Sequence, residues 1–208
     1  MKIKFFIVVS IFSLTWELYA QTKVTVDLDK RTILTINGST NLLSFKLNQY
    51  GDQILNKPVS LTALWHGNKL YLSQNKLSIG VTNFKSNNPI AQSEFYKLMK
   101  ANQYPYLKIQ LNSIDSLIIS NNSEFSKGFA SMSFTITGVT KQYTIPIIAS
   151  GDENMITVSG KRRMTIKDFG LEPPVAMYGL IRVSEWIEID FKVLCKLTIE
   201  NNAISLKL

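Results

Sequence analysis

A chain of 208 residues with one Cys and one His leaves little room for metal or covalent chemistry. A structural zinc site takes four ligands, mostly Cys or His, and His66 with Cys195 would supply only two of them. Without a second cysteine there is no internal disulfide, redox dithiol or iron–sulfur cluster. A Ser-His-Asp mechanism would rest on His66 alone, and Trp65-His66-Gly67-Asn68 reads as an exposed turn. Neither a cofactor nor catalytic activity is therefore expected. Charge is sparse at 18% of residues, against 45% hydrophobic, 10 Gly and 6 Pro. That balance excludes disorder, collagen and coiled coil, and the length suits one domain with a sizeable core.

An uninterrupted span of about 20 apolar residues is also missing. The longest approach to one runs from Phe5 to Trp16, broken by Ser10, Ser13 and Thr15, behind Lys2 and Lys4. It closes at Leu18-Tyr19-Ala20, before Gln21. A basic start, an apolar run and a small terminal residue describe a secretory signal peptide over residues 1–20, leaving 21–208 as the domain. The expected location is periplasmic or extracellular. The net charge is +8, but the basic residues are scattered and Lys161-Arg162-Arg163 is the only run of three. With no nucleic-acid-binding motif, no nucleic-acid partner is expected. The positive balance suits solubility, or peripheral contact with an anionic membrane surface.

What is present is alternation. Val24, Val26 and Leu28 alternate with Lys23, Thr25 and Asp27, and Asp29-Lys30-Arg31 turns the chain into 32–36. Further β-type runs cover 43–49, 59–64, 69–73, 76–81, 107–114, 117–120, 127–137, 142–149, 155–166 and 180–199. Gly51-Asp52, Gly67-Asn68, Asn121-Asn122, Gly138, Gly151-Asp152 and Asn201-Asn202 punctuate them. Strands at this spacing without intervening helices make an antiparallel sandwich or barrel. From Leu180 onward, Ile181, Val183, Ile187, Ile189, Phe191, Val193, Cys195 and Leu197 share one face; Arg182, Ser184, Glu188, Asp190, Lys192 and Lys196 share the other. Ala130, Met132, Phe134 and Ile136 form a second apolar row. Such long one-sided strands belong to a large curved sheet with a continuous apolar inner surface. An outer-membrane barrel would instead turn apolar residues to lipid, which the charged faces disfavour.

The exception is Pro89 to Asn102, where Ala91, Phe95, Leu98 and Met99 fall on one helical face. Pro89 suits the start of a helix and Pro105 bars its continuation. One short amphipathic helix is expected, either shielding the end of the barrel or also controlling ligand access through Phe95, Leu98 and Met99. Asp168-Phe169-Gly170 reads as a bend after a strand, with Gly170 taking the turn. Arg162 sits among Ile156, Val158, Met164 and Ile166. It is either an arginine snorkelling at the barrel rim or a group that meets a lipid headgroup or phosphate.

Several segments, in order, resemble the YceI-like family of exported lipid-binding proteins. They are Ile36-Asn37-Gly38-Ser39-Thr40-Asn41 with Ser44-Phe45, the helix Phe95–Lys100 followed by Tyr104-Pro105-Tyr106-Leu107-Lys108-Ile109, and Ser133–Lys141 with its Thr137-Gly138-Val139-Thr140-Lys141 close. Lys167-Asp168-Phe169-Gly170-Leu171 and the strand through Val183, Glu185, Ile187, Ile189 and Phe191 complete the set. The resemblance spans roughly residues 24–198. It implies an all-β fold: an extended, antiparallel, lipocalin-like β-barrel of about eight strands with one short helix. It also implies that an apolar tunnel holds a polyisoprenoid or similar long-chain lipid. The chain departs from the family at two places. Ser39-Thr40-Asn41 and Asn87-Asn88-Pro89 stand where many members carry a His and an Arg-Asp-x-His stretch, so headgroup contacts transfer least.

The residues support such a role by their own route. A carrier must enclose an acyl or isoprenoid chain, because each exposed methylene costs about 0.8 kcal/mol. An interior lined by Phe45, Met132, Phe134, Ile136, Ile187, Ile189 and Phe191 offers such a surface. Alternation alone does not separate a lined tunnel from a filled core. Two readings therefore stand: a non-enzymatic exported lipid carrier, which the resemblance implies, and a structural or assembly module that has a filled interior and acts through its surface.

Overall fold

A computed structural model describes residues 22–55, 57–119, 125–151 and 155–200. The signal segment and the turns at Asn121-Asn122 and Asn201-Asn202 lie outside the described residues. The strands are β1 (Thr22–Leu28), β2 (Ile33–Ser39), β3 (Ser44–Tyr50), β4 (Val59–His66), β5 (Lys69–Ser73), β6 (Leu77–Gly80) and β7 (Tyr106–Ile119). They continue with β8 (Phe125–Ile136), β9 (Val139–Gly151), β10 (Ile156–Thr165), β11 (Val175–Ala176), β12 (Ile181–Arg182) and β13 (Trp186–Glu200). The helices are α1 (Gly51–Ile54) and α2 (Pro89–Leu98). Eight strands close a ring in the order β1-β4-β5-β7-β8-β9-β10-β13, with β13 pairing back onto β1. Closure leaves the ring without a free edge.

Two long strands each serve two partners in succession along one edge. β13 pairs with β2 through Glu188–Lys192 and with β1 through Cys195–Glu200. β7 pairs with β6 through Tyr106–Ile109 and with β5 through Ser113–Asp115. At each hand-over a buried polar side chain bonds to backbone groups of the long strand that the change of partner leaves short of a ladder bond; the Leu194 carbonyl also accepts from Asp29 N (2.8 Å). The Thr32 hydroxyl accepts from Leu194 N (2.9 Å) and donates to Leu194 O (3.0 Å). The Asn75 amide accepts from Leu111 N (2.9 Å) and donates to Leu111 O (2.7 Å). The barrel is thereby extended without breaking its ladders. β2 and β3 lengthen one wall and β6 lengthens the facing one, with Asn48 of β3 bridging to Lys85.

The hairpins follow their turn residues. Thr137 and Gly138 both have positive φ (46° and 87°), as the two-residue turn that matches strand twist requires, and they join Ile136 to Val139. Gly170, at φ 70°, ends a 3-10 turn over Ile166–Phe169, so the Asp168-Phe169-Gly170 bend forms as expected. Between β1 and β2, the Asp29 carboxylate accepts from Arg31 N and Nε (2.8 Å each) and Nη2 (3.0 Å). The Arg31 side chain, helped by its backbone N–H, holds the Asp29 carboxyl down at about 2, against an ordinary 3.8. A depressed carboxylate stabilises the fold above its unfolded value, and that contribution disappears as pH falls through the folded one. The melting temperature is therefore expected to decline between pH 3.8 and about 2. Asp29→Asn should flatten that part of the profile in thermal melts across the range; an unchanged profile would contradict the assignment.

Three details differ from the alternation reading. The stretch 180–199 is not one strand. β12 leaves the barrel to pair with β11, and β13 begins at Trp186. The break occurs where Ser184 N donates to Ser39 O (2.8 Å) and Glu185 O accepts from Ile166 N (2.9 Å), partners that pull the chain across the barrel end. The runs read as 107–114 and 117–120 belong, as far as residue 119, to one strand, β7, with register shifts at Leu111/Ser113 and Asp115/Ile118. Gly51-Asp52, read as a turn, opens the short α1 instead.

Candidate ligand-binding site

The helix is built where Pro89 and Asn88 place it. Pro89 takes the first helical position, and Asn88 Oδ1 accepts from Ile90 N and Ala91 N (3.1 Å each), capping the first turn. α2 ends at Leu98, before Lys100 adopts a positive φ of 46°. It is anchored by Tyr96, whose hydroxyl meets the carbonyls of Phe84 (2.6 Å) and Thr82 (2.9 Å), and by Phe95, edge-on to Phe84 at 5.4 Å. Phe84, Val81, Ile79, Leu47, Phe169, Met164 and Ile145 are almost wholly enclosed.

The interior is hollow. One chamber of about 230 Å³ lies beneath α2, and a second of about 350 Å³ lies within the ring on the side of β1, β4 and β5. Leu34, Ile109, Phe134 and Ile189 belong to the walls of both, so only side chains separate them. Of the seven residues singled out by alternation, Phe45, Ile136 and Ile187 line the first chamber, Met132 and Phe191 the second, and Phe134 and Ile189 both. Phe95, Leu98 and Met99 of α2 form the roof of the first chamber.

Polar groups are few and are already engaged. In the second chamber's wall the polar residues are Thr32 and Asn75, which bond to the strand backbones as described. In the first, Glu94 pairs with Lys97 at 2.7 Å and Asn88 caps the helix. A dry, apolar interior of this kind suits hydrocarbon and would penalise an unpaired charge. Cys195, the chain's single cysteine, lies on the second chamber's wall, and burial raises its thiol pKa.

Arg162 belongs to neither wall. β10 pairs with β9 only from Ile156 to Gly160, and beyond that point the two strands part. The Arg162 guanidinium then lies over the Tyr143 ring, 5.9 Å from its centroid. Tyr143 donates its hydroxyl to Asp168 Oδ2 at 2.7 Å. Burial, reinforced by Asp168, raises the Tyr143 phenol far above its ordinary range. Residues that alternation did not single out include Leu34, Leu107 and Ile109, although β2 and β7 alternate just as clearly. Leu42, Leu43 and Ile90, at the mouth of the first chamber, also escaped it.

Fold and site together define a closed antiparallel barrel with an apolar interior roofed by one helix. The chain belongs to the YceI-like family, whose domain matches residues 16–194. No curated protein matches it by sequence. Among solved structures it is similar to BcnA of Burkholderia cenocepacia, at 14% identity and TM-score 0.52, covering 81% of this chain and 99% of that one. It is also similar to a polyisoprenoid-binding domain of Saccharophagus degradans implicated in plant cell wall breakdown, at 11% identity and TM-score 0.56, covering 84% and 98%. At these identities the likeness speaks for the fold.

Proposed function

We propose that the protein is an exported, non-enzymatic carrier that holds a long-chain, largely apolar lipid, a polyisoprenoid or similar, in its two chambers. The observation that carries this reading is the pair of apolar cavities sharing Leu34, Ile109, Phe134 and Ile189, with their few polar groups turned to the backbone or paired. Family membership supports it, as does the polyisoprenoid-binding domain of similar fold. The cavities weigh against the filled-core module, which needs no empty volume.

Cys195 offers the test, because a lipid in the second chamber must cover it. Delipidated protein is expected to react with an alkyl methanethiosulfonate at mildly alkaline pH. Loading with a long-chain polyprenol should slow that reaction at least about tenfold, since only the thiolate attacks and the bound chain blocks approach. Equal rates with and without polyprenol would contradict the reading. Export is the second part of the proposal: the exported form should begin at or near Gln21. N-terminal mass analysis checks this, and an intact Met1 in exported material would overturn it.

A further inference from the structure

We propose that the exposed apolar collar around the mouth of the first chamber seats the protein on a lipid bilayer, a proposal that rests on the carrier reading. Three segments build the collar: the turn at 40–43, the first turn of α2, and the β11–β12 hairpin. Leu42, Leu43 and Ile90 are 69%, 52% and 76% exposed, yet all three also line the chamber. Beside them stand Val175 and Leu180, 62% and 71% exposed. These side chains are held outward by a bonded frame. Thr40 Oγ1 accepts from Leu42 N (3.1 Å) and Leu43 N (3.0 Å), while Thr40 N donates to Leu43 O (2.7 Å). Asn41 ties this turn to the hairpin, donating from Nδ2 to Leu180 O (3.0 Å) and accepting at Oδ1 from Arg182 N (2.9 Å).

A cluster of large aliphatic side chains fixed in water marks a contact surface. Its position identifies the occupant. An apolar chain leaving the chamber passes this collar, and each methylene it exposes to water costs about 0.8 kcal/mol. A collar sunk into the acyl region gives the chain a path that never meets water. The flanking groups suit the headgroup level: Arg182 within the hairpin, and Tyr178 fully exposed at its tip. The acidic group of the chamber wall, Glu94, is paired with Lys97, and Glu172 is the exposed acid at the base of the hairpin. No helix among the described residues is long and apolar enough to cross a membrane.

Flotation with phosphatidylethanolamine–phosphatidylglycerol vesicles tests the proposal. Wild type should float. Leu42→Asp/Ile90→Asp/Leu180→Asp should lower partitioning roughly tenfold or more, because charge replaces the inserted surface. Leu180→Asp alone, outside the chamber wall, guards against loss of fold and should lower it severalfold. Phe129→Asp, replacing an exposed aromatic on the outer face of β8, should float like wild type. A wild type that stays at the bottom of the gradient overturns the proposal, as do collar variants that float undiminished. Wild type that dimerises through the collar and ignores vesicles overturns it in favour of a second copy. Polyprenol uptake from detergent micelles separates the two readings. Uptake without flotation removes docking alone; flotation without uptake removes the carrier.

Discussion

Ala130→Phe combined with Ile136→Phe will strip the protein of lipid while leaving the delipidated barrel close to its original stability. Ala130 lies on the wall of the 350 Å³ chamber and Ile136 on that of the 230 Å³ chamber, both buried. In a close-packed core, added side-chain volume forces neighbours off their rotamers and costs about 1–3 kcal/mol, more for a change as large as Ala to Phe. Beside an empty chamber the ring has somewhere to go, and the volume it takes is the volume a ligand would use. Phe is the right probe because an indole N–H would find no partner in so dry a space. Lipid recovered from the double variant should fall at least about tenfold. Its apo unfolding free energy in denaturant should stay within about 1.5 kcal/mol of wild type. Heavy apo destabilisation with unchanged lipid content would mean that the interior is filled where the chambers lie.

Asn75→Leu will have the opposite signature, damaging the fold more than the cavity. The Asn75 amide meets both backbone groups of Leu111 where β7 passes from β6 to β5. Leucine is of similar size but bonds to neither group, and each buried donor or acceptor left without a partner costs about 1–3 kcal/mol. Thr32→Val at the β1–β2 hand-over on β13 should act in the same direction but less strongly, because Leu194 N loses its partner while Leu194 O keeps the bond from Asp29 N (2.8 Å). Chemical denaturation of both variants, with and without polyprenol, checks this. Lipid bound only to the native state should raise the stability of each variant by about as much as it raises wild type. Variants as stable as wild type would show that water replaces the side chains at these sites.

These two side chains also mark how far the sequence could be read. The alternation is unbroken from Ala130 to Ile136 of β8 and from Ile187 to Val193 of β13, so Met132, Phe134, Ile136, Ile187, Ile189 and Phe191 point inward as their spacing implies. Pro89 announced the helix because its preference for the first turn is local, whereas the Asn88 cap, just as local, went unread. Asn75 and Thr32, by contrast, look like ordinary polar residues beside turns. Their partners lie 36 and 162 positions away, and only the closed ring brings them together. The break before β13 was hidden for the same reason. The odd-numbered apolar set runs on through Ile181 and Val183, while the contacts that redirect the chain come from Ser39 and Ile166. Arg162 keeps the inward parity of β10, but beyond Gly160 that strand has parted from β9, and its guanidinium rests on Tyr143. Hollow and filled interiors share one alternation pattern. Their difference lies in how far the side chains reach across the ring, which here leaves the two chambers open.

Native mass spectrometry of the protein, purified from its own source without detergent, tests the central claim most directly. The account predicts a species heavier than the bare chain by the mass of one long-chain lipid, lost on solvent extraction and restored by added polyprenol. A spectrum containing only the bare chain, with no uptake when polyprenol is supplied, would contradict it.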